Sequence, residues 1–300
     1  MKIKSLLLIA FSAMFLLATL SSCGDKKSEP VKTPSEDVTP SDPGKPSEPG
    51  TPSEPDTPPV DPEPPVGPEP PSYAGTVRDA CGYMYHYVKI GEQYWLAENM
   101  HCDKYSNNGD AALKQIYEAT TYKFTPYFIN ASNSVNWNTK EYSNMSYSQI
   151  SKLGYLYNWA AAVGLEDESS IKTSYPFYGR RQGICPDGWH IPSLDDYAAL
   201  RDYVESVEGR EPGTAGKYLK TTSGWYQEGN GEDSYLFGAL PSNSGGGDGV
   251  YNTGTIFWGW IAESFFSDAT YCYCINYNND EFSNGLHKKD SAYAVRCVKN

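Results

Sequence analysis

Three hundred residues, 39% of them hydrophobic, leave room for one sizeable core, and a net charge of −13 makes the chain acidic. Residues 1–27 carry +3, while residues 28–72 and 73–300 carry −8 each. Neither acidic segment has the lysine and arginine excess that neutralising phosphates requires, so no nucleic-acid partner is expected.

The N-terminus reads as an address. Lys2 and Lys4 precede a fifteen-residue, mostly apolar run from Leu6 to Leu20. That run is shorter than the roughly 20 residues of a membrane span and fits the central region of a secretory signal peptide. It ends in Leu20-Ser21-Ser22-Cys23, which resembles the bacterial lipobox, where small residues admit the peptidase and the cysteine thiol is lipidated. Residues 1–22 are thus expected to be a lipoprotein signal peptide, with Cys23 the lipid-bearing first residue of the mature chain. Several acyl chains on one cysteine meet the two-signal requirement for stable anchoring. The expected location is the cell envelope, anchored to the outer membrane on its periplasmic or cell-surface face.

Residues 23–72 read as a disordered, proline-rich tether. From Thr33 the chain falls into hexads whose second position is proline each time, at Pro34, Pro40, Pro46, Pro52, Pro58, Pro64 and Pro70. Six residues are two turns of polyproline II, so these prolines line one side. Sixteen of the 22 Pro lie between Ser28 and Ser72, whereas all 25 Tyr and all 7 Trp lie at or after Tyr73. With no aromatics to bury, the tether cannot offset its folding entropy. At about 3.1 Å per residue, forty such residues extend roughly 125 Å.

Residues 73–300 are the folded part. Tyr83–Ile90 and Gln93–Ala97 are strand-forming runs separated by Gly91-Glu92, and glycine first in a two-residue loop predicts a type II′ hairpin. Pairing Ile90 with Gln93 and running the ladder back sets Cys81 opposite Cys102, at a non-hydrogen-bonded rung where Cα atoms approach about 4.5 Å. That distance predicts a disulfide. Asp103 to Lys152 shows no sustained period and reads as long loops with short elements. Gly154 to Val163 reads as a strand or turn entering a short helix. Ile184-Cys185-Pro186-Asp187-Gly188-Trp189-His190-Ile191-Pro192-Ser193 reads as a structural corner leading into a helix. Ser193 is its N-cap and Asp196 completes a capping box. Tyr197, Leu200, Val204 and Val207 form its apolar stripe, and Gly209 its stop. Short aromatic segments between glycine-rich turns follow, then two strand candidates, Tyr271–Tyr277 and Tyr293–Val298. Few helices, many short strands and long loops predict an α+β domain with a twisted antiparallel sheet.

Four stretches together resemble the Fibrobacter succinogenes major paralogous domain. They are Val88–Asn99, Tyr155–Ala162, Cys185–Ser193 with its continuation Ala215–Lys220 and Thr222–Trp225, and Ala294–Lys299. The resemblance runs from about Thr76 to Asn300. It implies a secreted or lipid-anchored protein, a C-type-lectin-like fold, and a disulfide between Cys185 and Cys297, which both lie in its motifs. The Gly188–Ser193 corner is also similar to that of formylglycine-generating enzymes. Gly259–Ser264 and Ser242–Gly247 depart from the family pattern, so a relative's ligand does not transfer to these loops.

Cys272 and Cys274 are two apart and share one face if their segment is a strand. They are expected to be buried or mutually bonded; the sharper reading is a thiol pair for a soft ion such as Cu(I). His190 is expected to be a hydrogen-bonded structural residue. Glu232, Asp233 and Asp248 offer oxygen ligands to Ca²⁺, the one cofactor the loops could recruit; none is otherwise expected. Aromatic rings stack on sugar faces, and Trp137 and Trp260, outside the family pattern, are the candidate contacts. The reading is a cell-envelope lipoprotein that presents a non-catalytic binding or adhesion module to a glycan or surface protein. The alternatives are an oxidative or metal-binding enzyme using Cys272 and Cys274, and a structural pilus or surface-layer component.

Overall fold

The computed structural model describes residues 70–106, 113–115, 127–130, 146–165, 175–242, 244–246, 249–251 and 254–300. The signal peptide, Cys23, the tether up to residue 69, Trp137 and Asp248 lie outside the described residues. In chain order the strands are β1 (Gly75–Arg78), β2 (Met84–Ile90), β3 (Gln93–Leu96), β4 (Lys114–Gln115), β5 (Tyr127–Asn130), β6 (Tyr155–Asn158), β7 (Trp189–His190), β8 (Ser244–Gly246) and β9 (Gly249–Tyr251). They continue with β10 (Ile256–Trp260), β11 (Ala269–Asn276), β12 (Phe282–Lys288), β13 (Ala292–Tyr293) and β14 (Val298–Lys299). Helices cover Tyr147–Ser151, Trp159–Val163, Leu194–Glu205 and Ala215–Leu219. The domain is α+β. In place of one twisted sheet, the described strands form three, ordered β1-β2-β3-β14-β7, β10-β11-β12 and β4-β5-β6-β13-β8-β9. All described pairings between these strands are antiparallel except β4 with β5.

The β2–β3 hairpin has the expected register, Ile90 against Gln93 through Tyr87 against Leu96. Gly91 takes φ +60° while Glu92 stays out of the left-handed region, as a II′ turn requires. Cys81 and Cys102 are bonded, but not across a continuous ladder. The described pairing ends at Leu96, Cys81 sits in the turn between β1 and β2, and the Cα atoms lie 5.5 Å apart. Cys185 and Cys297 form the second disulfide, with Cα atoms 5.9 Å apart.

Strands β10 and β11 separate two buried clusters because side chains alternate across a strand. Trp258, Trp260, Cys272 and Cys274 face one cluster; Phe257, Tyr273 and Ile275 face the other. Cys272 and Cys274 thus share a face, as expected, and both remain buried thiols.

The helix after the corner carries the predicted capping box, with Ser193 Oγ accepting from Asp196 N and the Asp196 carboxylate accepting from Ser193 N. It ends at Glu205, a turn earlier than the apolar pattern suggested. Ser206 closes it by donating its hydroxyl to the Tyr203 carbonyl, which leaves Val207 exposed and Gly209 in the next turn. The run Tyr293–Val298 is not one strand. It leaves β13 after Tyr293 and joins the first sheet at Val298, since between them Arg296 is drawn into the interior and Cys297 into its disulfide. Among the described residues no helix is long and apolar enough to cross a membrane.

Candidate functional site

A cleft of about 120 Å³ opens among Tyr73, Ala97, Glu98, Gln149, Lys152, Thr221, Asp233, Leu236, Gly238 and Leu240. Each wall is fixed by local chemistry. The chain leaving β3 places Glu98, whose Oε2 accepts from His86 N at 2.9 Å and whose Oε1 meets His86 Nδ1 at 3.0 Å. Tyr73 stacks on the same imidazole with ring centroids 4.4 Å apart. The Tyr147–Ser151 helix starts with a capping box of Ser146 and Gln149, and Gln149 Nε2 then donates to Ser223 O at 2.8 Å and Ser223 Oγ at 2.9 Å. Those bonds tie the helix to the loop that carries Thr221.

The remaining wall is the turn 233–238. Asp233 has φ +46° and Leu236 φ +55°, left-handed conformations that cost non-glycine residues energy and persist only when surroundings impose them. Two groups impose them here. Asp233 Oδ1 accepts from Gly238 N at 2.8 Å, and the buried Arg296 donates to the Phe237 carbonyl and to the Gly238 carbonyl. Gly238 (φ +65°) also lies so close to Ala97 that a Cβ would press on its carbonyl oxygen at 2.9 Å.

Burial pushes the Asp233 carboxyl above its usual range, although the Gly238 N–H and the Arg296 charge oppose the shift. Burial also raises the Tyr73 phenol, helped by the charges of Glu98 and Asp233. The Arg296 guanidinium is brought down to about 10 by its burial, against the pull of Glu98, Tyr197 and Asp233. Glu98 and Asp233 therefore act on the same phenol and the same guanidinium. Lys152 stands exposed on the rim.

Of the described residues singled out from sequence, Asp233 alone lines this cleft. Its neighbour Glu232 turns outward to Lys217 at 3.0 Å, so the two carboxylates do not share a calcium shell. Among the described residues the one convergent group of three potential ligands is Asp79, Cys81 and Cys102, and its two sulfurs are spent in a disulfide. Trp260 is not an exposed contact. It is 0% exposed and its Nε1 donates to the Tyr157 carbonyl at 2.7 Å. On β11, Cys272 Sγ lies 3.8 Å from the Gly285 carbonyl and Cys274 Sγ 3.3 Å from Ser283 Oγ. His190 is structural, held between Asn300 Oδ1 at 2.7 Å and Asp196 Oδ2 at 3.2 Å. Ser193 Oγ donates to the same Asp196 oxygen at 2.6 Å, so serine, aspartate and histidine meet in a helix cap, with the hydroxyl turned to the carboxylate.

Ala97 and Glu98 lie in the family stretch Val88–Asn99, but nothing in the sequence marked them or the lining residues besides Asp233 as a site. They come from separate segments between Tyr73 and Leu240 and converge only through the tertiary fold. No curated protein and no solved structure matches the chain. The family model of the Fibrobacter succinogenes major domain matches residues 88–299, which takes in the end of β2 with β3, the corner and the C-terminal strand. The chain therefore belongs to the Fibrobacter succinogenes major domain family.

Proposed function

We propose that this protein is an outer-membrane lipoprotein, anchored through Cys23, that presents a non-catalytic, C-type-lectin-like binding module to a glycan or a surface protein. The stiff acidic segment up to residue 72 carries the module away from the lipid. The observation that supports the binding role is the cleft. It is concave, and hydrogen-bond donors, acceptors and apolar side chains converge on it, as they do in small-ligand sites. A wall built of two left-handed non-glycine residues is strain maintained at that cleft.

The test is to array the full chain, carrying Cys23→Ser so that it stays in water, against glycans and envelope proteins. Saturable binding to either class is expected. Silence on both arrays together with assembly into polymers would instead mark a structural component. Mass spectrometry of the unmodified chain from a native host is expected to find acyl groups on Cys23, and a bare Cys23 would remove the anchor from the account.

A further inference from the structure

We propose that the cleft takes one neutral pyranose ring, gripped through its hydroxyls by Asp233 and Glu98 without a metal ion. This rests on the binding role proposed above and names the ligand class of that same site. Size comes first. At about 120 Å³ the cleft is somewhat smaller than the roughly 150 Å³ that encloses a benzene ring, so it seats part of one six-membered ring, the rest standing in its open mouth, and has no room for two.

Chemistry then selects among ligands of that size. The lining offers acceptors in Glu98 and Asp233, donors in Lys152 and the Tyr73 phenol, and apolar surface in Leu236 and Leu240. A pyranose is matched to such a mixture, because each hydroxyl both donates and accepts while the ring carbons present an apolar face. An anionic ligand would face two carboxylates, and an alkylammonium would leave the Lys152 side of the cleft opposed to it. Hydrogen bonds from neutral hydroxyls to carboxylates are charge-assisted and strong for their size.

The carboxylates are also held ready. Each Glu98 oxygen already accepts from His86, and Asp233 Oδ1 accepts from Gly238 N. Each anchor orients its carboxylate and leaves lone pairs for a ligand hydroxyl, so little rotamer entropy is lost on binding. The same anchoring argues against calcium, which needs six to eight converging oxygens. With Glu232 committed to Lys217, the described residues do not assemble that shell.

The experiment titrates the full chain, as Cys23→Ser, with a neutral hexose panel, N-acetylhexosamines, a uronic acid and an alkylammonium, each with and without EDTA. A neutral sugar is expected to bind with an affinity that EDTA leaves unchanged. Asp233→Asn and Glu98→Gln are each expected to weaken it about 10- to 100-fold, as loss of a hydrogen bond to a charged group does. Lys152→Ala alters an exposed side chain and tests the same cleft without risk to the fold; a several-fold loss is expected. Loss of binding in EDTA, preference for the uronic acid or the ammonium, or undiminished binding in the variants would overturn the proposal. Glycan binding on the array with undiminished binding in the cleft variants would sink this inference alone, whereas silence toward every glycan and protein would sink the binding role itself.

Discussion

Arg296 gives its guanidinium to an amide rather than a carboxylate: Nε and Nη2 reach Asn99 Oδ1 at 3.0 and 2.6 Å. Asn99 passes the constraint on by donating Nδ2 to the Leu153 carbonyl at 2.9 Å. Nη1 meanwhile bonds the Leu96 and Phe237 carbonyls. One buried cation thus joins the end of β3, the segment before β6 and the strained turn 233–238 that walls the cleft.

A lysine cannot reproduce that planar fork, so Arg296→Lys leaves buried carbonyls and Asn99 without donors. Urea unfolding of the full chain should show a loss of about 2–4 kcal/mol, and the cleft should lose affinity with it. A variant as stable as the wild type would show that the guanidinium is not what holds the turn.

Acid stability should carry the signature of the helix cap. Burial alone would raise Asp196, yet hydrogen bonds from His190 and Ser193 outweigh it and hold the carboxyl at about 2, below its ordinary 3.8. A carboxyl depressed in the folded state adds stability above its unfolded value and loses it as pH falls toward the folded one. Stability should therefore drop between about pH 4 and pH 2, and Asp196→Asn should start lower and flatten the curve across that window. Parallel curves for the two proteins would contradict this.

Gly259 and Tyr197 make a paired prediction. A Cβ on Gly259 would overlap the Tyr197 hydroxyl, which is itself buried without a hydrogen-bond partner among the described residues. The Tyr197 ring packs against Trp95 at 5.2 Å and Tyr273 at 4.5 Å, so it has nowhere to retreat. Gly259→Ala should cost about 1–3 kcal/mol from overpacking. Tyr197→Phe should be neutral or stabilising, because it deletes an unsatisfied buried group, and should rescue Gly259→Ala in a double-mutant cycle. Strict additivity, or a large loss in Tyr197→Phe alone, would show that the hydroxyl has a role.

The sequence carried those features whose causes are local. Gly91-Glu92 specifies its own hairpin, and Ser193 with Asp196 caps its own helix, so both were legible. The Cys81–Cys102 pair was legible through the hairpin register, although the strand pairing stops short of it. What failed depends on distant partners. Trp260 is buried because the Tyr157 carbonyl takes its N–H, and the C-terminal run divides because Arg296 bonds to Asn99; neither partner is near in sequence. The cleft was illegible for the same reason, since Glu98 and Asp233 lie far apart in sequence and act on the same phenol only in the folded chain.

Amide hydrogen exchange on the full chain, with and without the sugar that binds it, tests the ligand-binding cleft most directly. Protection is predicted at residues 97–98, 149–152 and 233–238, with the rest of the domain unchanged. Protection confined to the exposed aromatics Tyr175, Tyr178 and Phe266, with the 233–238 turn exchanging as before, would contradict it.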